Sequence, residues 1–129
     1  MMSEVFDKPV REIMTTPVVT VMFSDPVIAA VEKMISHDIG AVVVISGGRP
    51  VGIITERDIL KRVILEEKDP RSVFCQDIMS KPLITIKPDT PLSEALSIMR
   101  KHGIRRLPIV EGDELIGIIT EKDLIRKIL

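Results

Sequence analysis

Aromatic residues are almost missing from this sequence, which contains three Phe and neither Tyr nor Trp. A hydrophobic core must therefore be built from Ile, Val, Leu and Met. The single cysteine, Cys75, excludes an internal disulfide and agrees with a cytoplasmic location. The sequence also has no Asn and one Gln, Gln76, and this scarcity of heat-labile amides is typical of thermophiles.

An excess of charge of either sign is missing as well, since the formal net charge is −1. Tight non-specific binding of nucleic acid needs many Lys and Arg contacts to phosphates, so we expect no nucleic-acid partner. No apolar run reaches the roughly 18 residues of a membrane span, and the start, MMSEVFDKPVRE, is too polar for a signal peptide. With 45% hydrophobic and 29% charged residues, the composition predicts a globular protein of the cytoplasm without a membrane partner.

The sequence contains an internal repeat. GIITERD at residues 52–58 returns as GIITEKD at 117–123, and the similarity extends without a gap well beyond these segments. A unit of about 55 residues buries too little surface to be stable alone, so we expect two motifs that share a core. The predicted divisions are an N-terminal segment (1–9), a first motif (10–64), a charged linker (65–74) and a second motif (75–129).

Each motif has the pattern of a β-α-β-β-α unit. VVTVM at 18–22 and LITIK at 83–87 are short β-rich segments, and apolar residues at helical spacing follow them. GAVVVIS and LPIVE lead into Gly-containing turns, from which PVGIIT and LIGIIT return as strands to make two hairpins. The motifs end in the amphipathic patterns ERDILKRVI and EKDLIRKIL. The sequence thus predicts an α/β (α+β) fold of two tandem motifs, packed as a pseudo-two-fold pair.

The chain from about residue 10 to residue 129 resembles a CBS-domain pair, the Bateman module. The resemblance is carried by IMTTPVVTV, HDIGAVVVI and GRPVGIITERDIL, and by IMSKPLITI, HGIRRLPIV and DELIGIITEKDLI. It implies a module that binds AMP, ADP, ATP or S-adenosylmethionine, with or without Mg, in clefts between the motifs. It also implies a homodimer, a disc of four motifs, that regulates a partner protein and catalyses nothing itself. Because the two motifs use up the chain, we expect no fused partner domain.

Two Thr–Asp pairs lie where a predicted strand runs into a predicted helix. We call Thr55 with Asp58 the first Thr–Asp pair and Thr120 with Asp123 the second. A helix N-terminus offers free N–H groups and positive dipole to a phosphate. A carboxylate one turn further on can accept hydrogen bonds from both hydroxyls of a ribose. The same T-x-x-D pattern is also that of a helix capping box, and the two roles are compatible.

The two copies differ most where the first has Gly40 and Ala41 and the second has Arg105 and Arg106. Adjacent arginines suit a phosphate chain because their donors are fork-shaped, although the same pair could form a solvated charged turn. Small residues leave room for a base. We therefore expect the two ligand sites to be unequal.

By resemblance to the family, each ligand cleft is crossed, so that the Thr–Asp pair of one motif faces the strand edge of the other. Gly52 and Gly117, which lack a Cβ, are expected to leave the strands open to close approach. With so few aromatics, adenine is expected to lie between aliphatic side chains. The first predicted site combines Thr55 and Asp58 with Ile84, Arg105, Arg106, Pro108 and Lys122. The second combines Thr120 and Asp123 with Val18, Thr20, Ile39, Gly40, Ala41 and Arg57.

No catalytic triad, carboxylate dyad or metal-ligand cluster is recognisable in the sequence, so we predict neither an enzyme nor a metal site. His37 and His102 fall near predicted helix ends, where a histidine is a favourable charge. The first hypothesis is therefore a regulatory ligand-sensing module. The alternative, which the residues leave open, is a structural, protein-interaction or RNA-binding module with empty clefts.

Overall fold

A computed structural model describes residues 2–128 of the chain, and the side chains of residues 4–127. Met1 and Leu129, at the outer ends of the predicted N-terminal segment and second motif, lie outside the described residues. The chain forms two compact units. We call residues 19–83 the first unit, and residues 2–18 together with 84–128 the second unit.

Both units contain helices and strands. In chain order they are α1 (Met2–Asp7), a 3-10 turn (Val10–Glu12), β1 (Thr20–Met22), α2 (Val27–His37), β2 (Ala41–Ser46), β3 (Arg49–Thr55), α3 (Glu56–Ile59), a π-helical turn (Leu60–Ile64), α4 (Cys75–Ile78), α5 (Leu92–His102), β4 (Arg106–Glu111), β5 (Glu114–Thr120) and α6 (Glu121–Ile128).

The first unit contains a three-stranded sheet in the order β1–β2–β3. β1 runs parallel to β2, and β2 and β3 form an antiparallel hairpin. Gly47 and Gly48 adopt φ angles of 57° and 77° in its turn, a conformation that two-residue hairpin turns require and glycine adopts without strain. The predicted glycine turn is thus confirmed, and α2 packs on β1 and β2.

The second unit contains the antiparallel hairpin of β4 and β5, on which α5 and α6 pack, with α1 against both helices. α5 ends at Gly103, which adopts a φ of 63°, the left-handed conformation in which glycine commonly ends a helix. In the first unit the matching position is Asp38, which takes the same left-handed conformation at φ 52°.

The predicted strand LITIK at 83–87 is wrong, because only Ile86 forms a bridge there, to Ile109 of β4. In the first unit the matching strand is β1, and its pairing with β2 includes a hydrogen bond from Val43 N to Val19 O at 3.2 Å. Pro108 stands at the position of Val43 and has no N–H to donate. The ladder is therefore reduced to the two bonds that Ile86 makes, one to Pro108 O at 3.1 Å and one from Val110 N at 2.9 Å.

The first residues of each sequence motif belong to the unit that contains the hairpin of the other motif. Val10, fully buried, belongs to the core of the second unit, and its N–H donates to Thr90 O at 2.8 Å. Cys75 and Ile78 are buried in the core of the first unit, where Cys75 N donates to Asp25 O at 2.8 Å. The compact units and the sequence repeats therefore divide the chain at different residues.

The cores of both units are aliphatic, as the lack of aromatic residues predicts. The predicted α+β class is confirmed, with helices and two small sheets. The pseudo-two-fold packing and the boundaries of the predicted segments stay predictions.

Candidate functional site

The first Thr–Asp pair joins the end of β3 to the start of α3 as a reciprocal capping box. The backbone N–H of Thr55 donates to Asp58 Oδ2 at 2.9 Å, and the N–H of Asp58 donates back to Thr55 Oγ1 at 3.2 Å. The Thr55 hydroxyl also donates to Asp58 Oδ2, at 3.1 Å. One carboxylate oxygen therefore serves two donors of the same threonine.

The other oxygen of Asp58 is held by residues outside the capping box. Ser80 Oγ donates to Asp58 Oδ1 at 3.0 Å, and Arg62 Nε lies 4.0 Å from the same oxygen. Arg62 also donates to the carbonyl oxygens of Ile78, at 2.9 Å, and Met79, at 3.1 Å. The Asp58 carboxylate is thus enclosed by the segment that contains Ser80, and the residue is 7% exposed.

The second Thr–Asp pair repeats the backbone part of this geometry and nothing more. Thr120 N donates to Asp123 Oδ2 at 2.9 Å, and Asp123 N donates to Thr120 Oγ1 at 3.2 Å. Among the residues that the structure describes, no donor lies on Asp123 Oδ1 and the Thr120 hydroxyl donates to no acceptor. Asp123 is half-buried. With respect to the described residues, this pair therefore keeps Asp123 Oδ1 as a free acceptor and the Thr120 hydroxyl as a free donor.

The start of the neighbouring strand lies beside each Thr–Asp pair. In the first unit Ala41 is the register partner of Thr55. In the second unit Arg106 is the partner of Thr120, and Glu121 N donates to Arg105 O at 2.8 Å. Residues directly opposite each other in an antiparallel pair point to the same face of the sheet. The cross-strand neighbour of Thr120 is therefore the arginine Arg106, whereas the cross-strand neighbour of Thr55 is Ala41, whose side chain is a methyl group.

The remaining predicted site residues are distributed over both units. In the first unit Thr20 lies in β1, and Ile39 precedes β2 and packs against the core, with Gly40 next to it and Arg57 exposed on α3. In the second unit Ile84 packs against the core, Pro108 is buried in β4, Lys122 is exposed on α6, and Val18 is half-buried. Both predicted crossed sites draw residues from the two units, and these groupings stay predictions.

Gly52 and Gly117 make room for a side chain of their own unit. A Cβ on Gly52 would lie 2.9 Å from Cγ of Met79, and a Cβ on Gly117 would lie 2.9 Å from Cγ of Met14, with each sulfur closer still. Separations below 3.0 Å require the methionine to shift. The close approach expected at these glycines thus comes from methionine, and it explains why the Ile-Met and Gly-Ile-Ile-Thr segments repeat together.

Ser80 and Arg62 are contacts of Asp58 that the sequence did not single out. Ser80 is the repeat counterpart of Thr15, and both residues pair by backbone with the strand before the Thr–Asp pair: Ser80 with Ile53, and Thr15 with Ile118. The sequence does contain one sign of this difference, because Ser80 replaces Thr15 directly after the matched Ile-Met of the two repeats. Its significance could not be seen from the sequence, since it depends on the contact of Ser80 with Asp58, 22 positions away.

Buried Cys75 has no chemistry suited to a nucleophile. Burial, and after it the nearby carboxylate of Asp25, raises the pKa of the Cys75 thiol from 9.0 to about 11. The thiol is therefore protonated at neutral pH. Within residues 2–128, no group of three or more His, Cys, Asp and Glu side chains is placed to hold a metal ion. In the same part of the chain, no helix is both long and apolar enough to cross a membrane.

A family model described as the CBS domain matches the chain twice, at residues 10–65 and 75–129. The chain belongs to the CBS-domain family. It is 40% identical over 119 residues to the uncharacterised protein MK0525 of Methanopyrus kandleri, a match that covers 91% of this chain and 61% of that protein. The chain thus spans less than two thirds of that relative.

Solved structures of CBS-domain proteins have the same fold. An uncharacterised conserved protein from Pyrococcus horikoshii superposes with a TM-score of 0.85 and 34% identity, covering 94% of this chain and 92% of that one. The CBS-domain pair of protein MJ0100, solved in complex with 5′-methylthioadenosine and S-adenosyl-L-methionine, gives a TM-score of 0.81 and 29% identity. That match covers 92% of this chain and 94% of the MJ0100 pair. The predicted membership of the CBS-domain pair proteins is confirmed.

Proposed function

We propose that this CBS-domain pair is a regulatory module that binds an adenosine-containing ligand and conveys its presence to a partner protein. The observation that carries the proposal is the similarity, over 92% of the chain, to a CBS-domain pair that was solved with two adenosine-containing ligands. The candidate ligands are AMP, ADP, ATP and S-adenosylmethionine. The module is proposed to act in the cytoplasm, as a homodimer and without catalysis.

The chemistry of the second unit supports a nucleotide or nucleoside ligand. A carboxylate can accept hydrogen bonds from the vicinal hydroxyls of a ribose. Arg106, opposite Thr120, and the adjacent Arg105 supply charge-assisted donors for a phosphate or carboxylate group of the ligand. Such contacts favour a ligand with a ribose at one end and an anionic group at the other.

Ligand occupancy can regulate a partner only if the ligand has different affinities for two states of the protein. A Kd measured with the partner present should then differ from that measured with the module alone, by the same factor by which the ligand changes partner affinity. This reciprocity offers a test once a partner is in hand.

Isothermal titration calorimetry of the full chain tests the proposed ligand class. AMP, ADP, ATP and S-adenosylmethionine are titrated with and without Mg, and GMP and 2′-deoxy-AMP serve as matched controls. We expect micromolar binding of at least one adenosine ligand, weaker binding of the deoxy compound, and no heat from GMP. Silence from all four adenosine ligands at millimolar concentration would contradict the proposal.

A protein-interaction module is the second candidate, and one surface favours it. Leu60, Ile64 and Leu65 are 62%, 57% and 77% exposed, and with Arg57 and Lys61 they line a shallow groove of about 360 Å³. Exposed aliphatic side chains grouped in this way are typical of contact surfaces. Light scattering of the wild type and of Leu65→Asp tests whether this groove joins two copies of the chain or contacts another protein. A change from dimer to monomer in Leu65→Asp would assign the groove to self-association.

A further inference from the structure

We infer that the two Thr–Asp pairs have different roles. The first is a closed structural clasp, in which Ser80 and Arg62 hold the segment Ile78–Ser80 against Asp58, and the second is the pair that receives the ligand. The structural half of this inference stands by itself, whereas the ligand half rests on the proposed function.

The hydrogen bonds of Asp58 leave its carboxylate little capacity for a ligand. Oδ2 accepts from both the N–H and the hydroxyl of Thr55, and Oδ1 accepts from Ser80 Oγ at 3.0 Å. These three bonds use three of the roughly four acceptor positions of a carboxylate. The two hydroxyls of a ribose would therefore have to displace Ser80 or Thr55 to bind together, so the exchange would gain little. Since Asp58 is also 7% exposed, a ligand reaching it would have to move the enclosing segment first.

Arg62 fixes that enclosing segment from the other side. Its guanidinium donates to the carbonyl oxygens of Ile78 and Met79, and Nε lies 4.0 Å from the same Asp58 oxygen that Ser80 binds. One arginine therefore ties the carboxylate to two backbone carbonyls. Because guanidinium donors are arranged in a planar fork, a lysine at this position could not hold both carbonyls and the carboxylate together.

Among the described residues of the second unit these additional contacts are absent, although the backbone around its capping box is arranged alike. Thr15, the counterpart of Ser80, exchanges backbone bonds with Ile118 at 2.8 and 3.1 Å, just as Ser80 does with Ile53 at 2.8 and 3.2 Å. The side chain of Thr15 is exposed and does not bind Asp123, and the counterpart of Arg62 is the exposed Lys127. Arg62 also lies in the π-helical turn Leu60–Ile64, whereas Lys127 lies in the continuous helix α6. The difference between the pairs therefore lies in two side chains and in the helical turn that carries one of them.

Two free groups and one neighbouring cation lie at the second pair. Asp123 Oδ1 and the Thr120 hydroxyl are unoccupied among the described residues, and Arg106 lies directly opposite Thr120. Arg105 directly precedes β4 and is exposed. The acceptor is placed for ribose hydroxyls and the donors for the anionic group of the ligand. We therefore expect one high-affinity ligand for each chain.

Paired substitutions in the full-length protein test both halves. Ser80→Ala removes the donor to Asp58 Oδ1, and Thr15→Ala is its matched control at the same backbone position. The expected Tm is lower by roughly 2–6 °C for Ser80→Ala and unchanged within about 1 °C for Thr15→Ala. Arg62→Lys, which copies Lys127, should lower the Tm as well. Equal Tm values for Ser80→Ala, Arg62→Lys and Thr15→Ala would overturn the clasp.

The ligand half is read from calorimetric titrations of AMP and S-adenosylmethionine into the same proteins. Asp123→Asn keeps the acceptor for Thr120 N but loses the charge, so its Kd should rise at least about tenfold while the Tm without ligand stays close to that of the wild type. Ser80→Ala and Arg62→Lys should keep the wild-type Kd within about threefold. A loss of affinity in Ser80→Ala as large as in Asp123→Asn would overturn the assignment.

The two ways of failing give different results. If neither probe binds the wild type, the proposed function fails and the ligand half of the inference fails with it, while the Tm comparison still decides the clasp. If the wild type binds but Asp123→Asn binds equally well, the proposed function stands and the choice of the second pair is wrong.

Discussion

Removing the carboxylate of Asp58 should destabilise the protein far more than removing that of Asp123. Asp58→Ala deletes three hydrogen bonds at 2.9, 3.1 and 3.0 Å, two from Thr55 and one from Ser80. Asp123→Ala deletes one, from Thr120 N at 2.9 Å. Both variants remove one side of a capping box, so this common loss cancels in the comparison.

The magnitude follows from the number and burial of these bonds. A hydrogen bond contributes about 1 kcal/mol net, and more when an ionised group accepts it, with a further cost for a donor left buried without a partner. Asp58→Ala should therefore lower the free energy of unfolding by about 2–4 kcal/mol, and Asp123→Ala by about 1 kcal/mol, the usual cost of losing a cap. At this chain length the difference corresponds to a Tm gap of roughly 5–10 °C.

Urea unfolding followed by circular dichroism measures both variants against the wild type. The slope of the free energy with urea should stay the same, and the midpoint should fall mainly in Asp58→Ala. Double variants add a second check, since Ser80→Ala should cost less in the Asp58→Ala background than in the wild type, because the two residues share one bond. Equal losses for the two aspartates, or additive losses for Asp58 and Ser80, would show that the extra bonds of Asp58 do not stabilise the fold.

Three further predictions concern residues away from the Thr–Asp pairs. Gly52→Ala should destabilise the protein by about 1–3 kcal/mol by overpacking, and it should cost less in a Met79→Ala background than in the wild type; an unchanged urea midpoint in Gly52→Ala would contradict the close contact. Because the pKa of Cys75 is raised from 9.0 in the unfolded chain to about 11, the neutral thiol favours the folded state below pH 9.0, and this contribution is lost as the pH rises towards 11. The difference in stability between wild type and Cys75→Ala should therefore change between these pH values, and a difference that is independent of pH would refute burial of the thiol. The ion pair of Arg11 and Asp89 is exposed, at 51% and 76% of the side chains, so Arg11→Ala should change stability by no more than about 0.5 kcal/mol at physiological salt, as thermal unfolding can check.

The repeated sequence was sufficient to predict the local structure around the site. Apolar runs on either side of the turns at Gly47 and Gly112 predict two hairpins, and T-x-x-D after each predicts a capping box. Both signals are local, since the residues involved lie a few positions apart. The structure confirms the hairpins and places Thr55 with Asp58 and Thr120 with Asp123 as expected.

Non-local contacts account for what the sequence did not predict. The loss of the strand at 83–87 depends on Pro108 lying opposite it, and this pairing joins residues more than 20 positions apart. The same holds for Ser80 and Asp58, whose contact depends on the packing of the segment after the linker in the first unit. The two Thr–Asp pairs are nearly identical in sequence, so their difference becomes visible only through these distant partners.

A crystal structure of the protein with AMP or S-adenosylmethionine would decide between the two Thr–Asp pairs in a single measurement. We predict one ligand per chain, with a ribose hydroxyl about 3 Å from Asp123 Oδ1, an anionic group near Arg106, and the Ser80 hydroxyl still bound to Asp58. A ribose bound to Asp58 in place of Ser80, or crystals that take up neither ligand at millimolar concentration, would contradict the assignment.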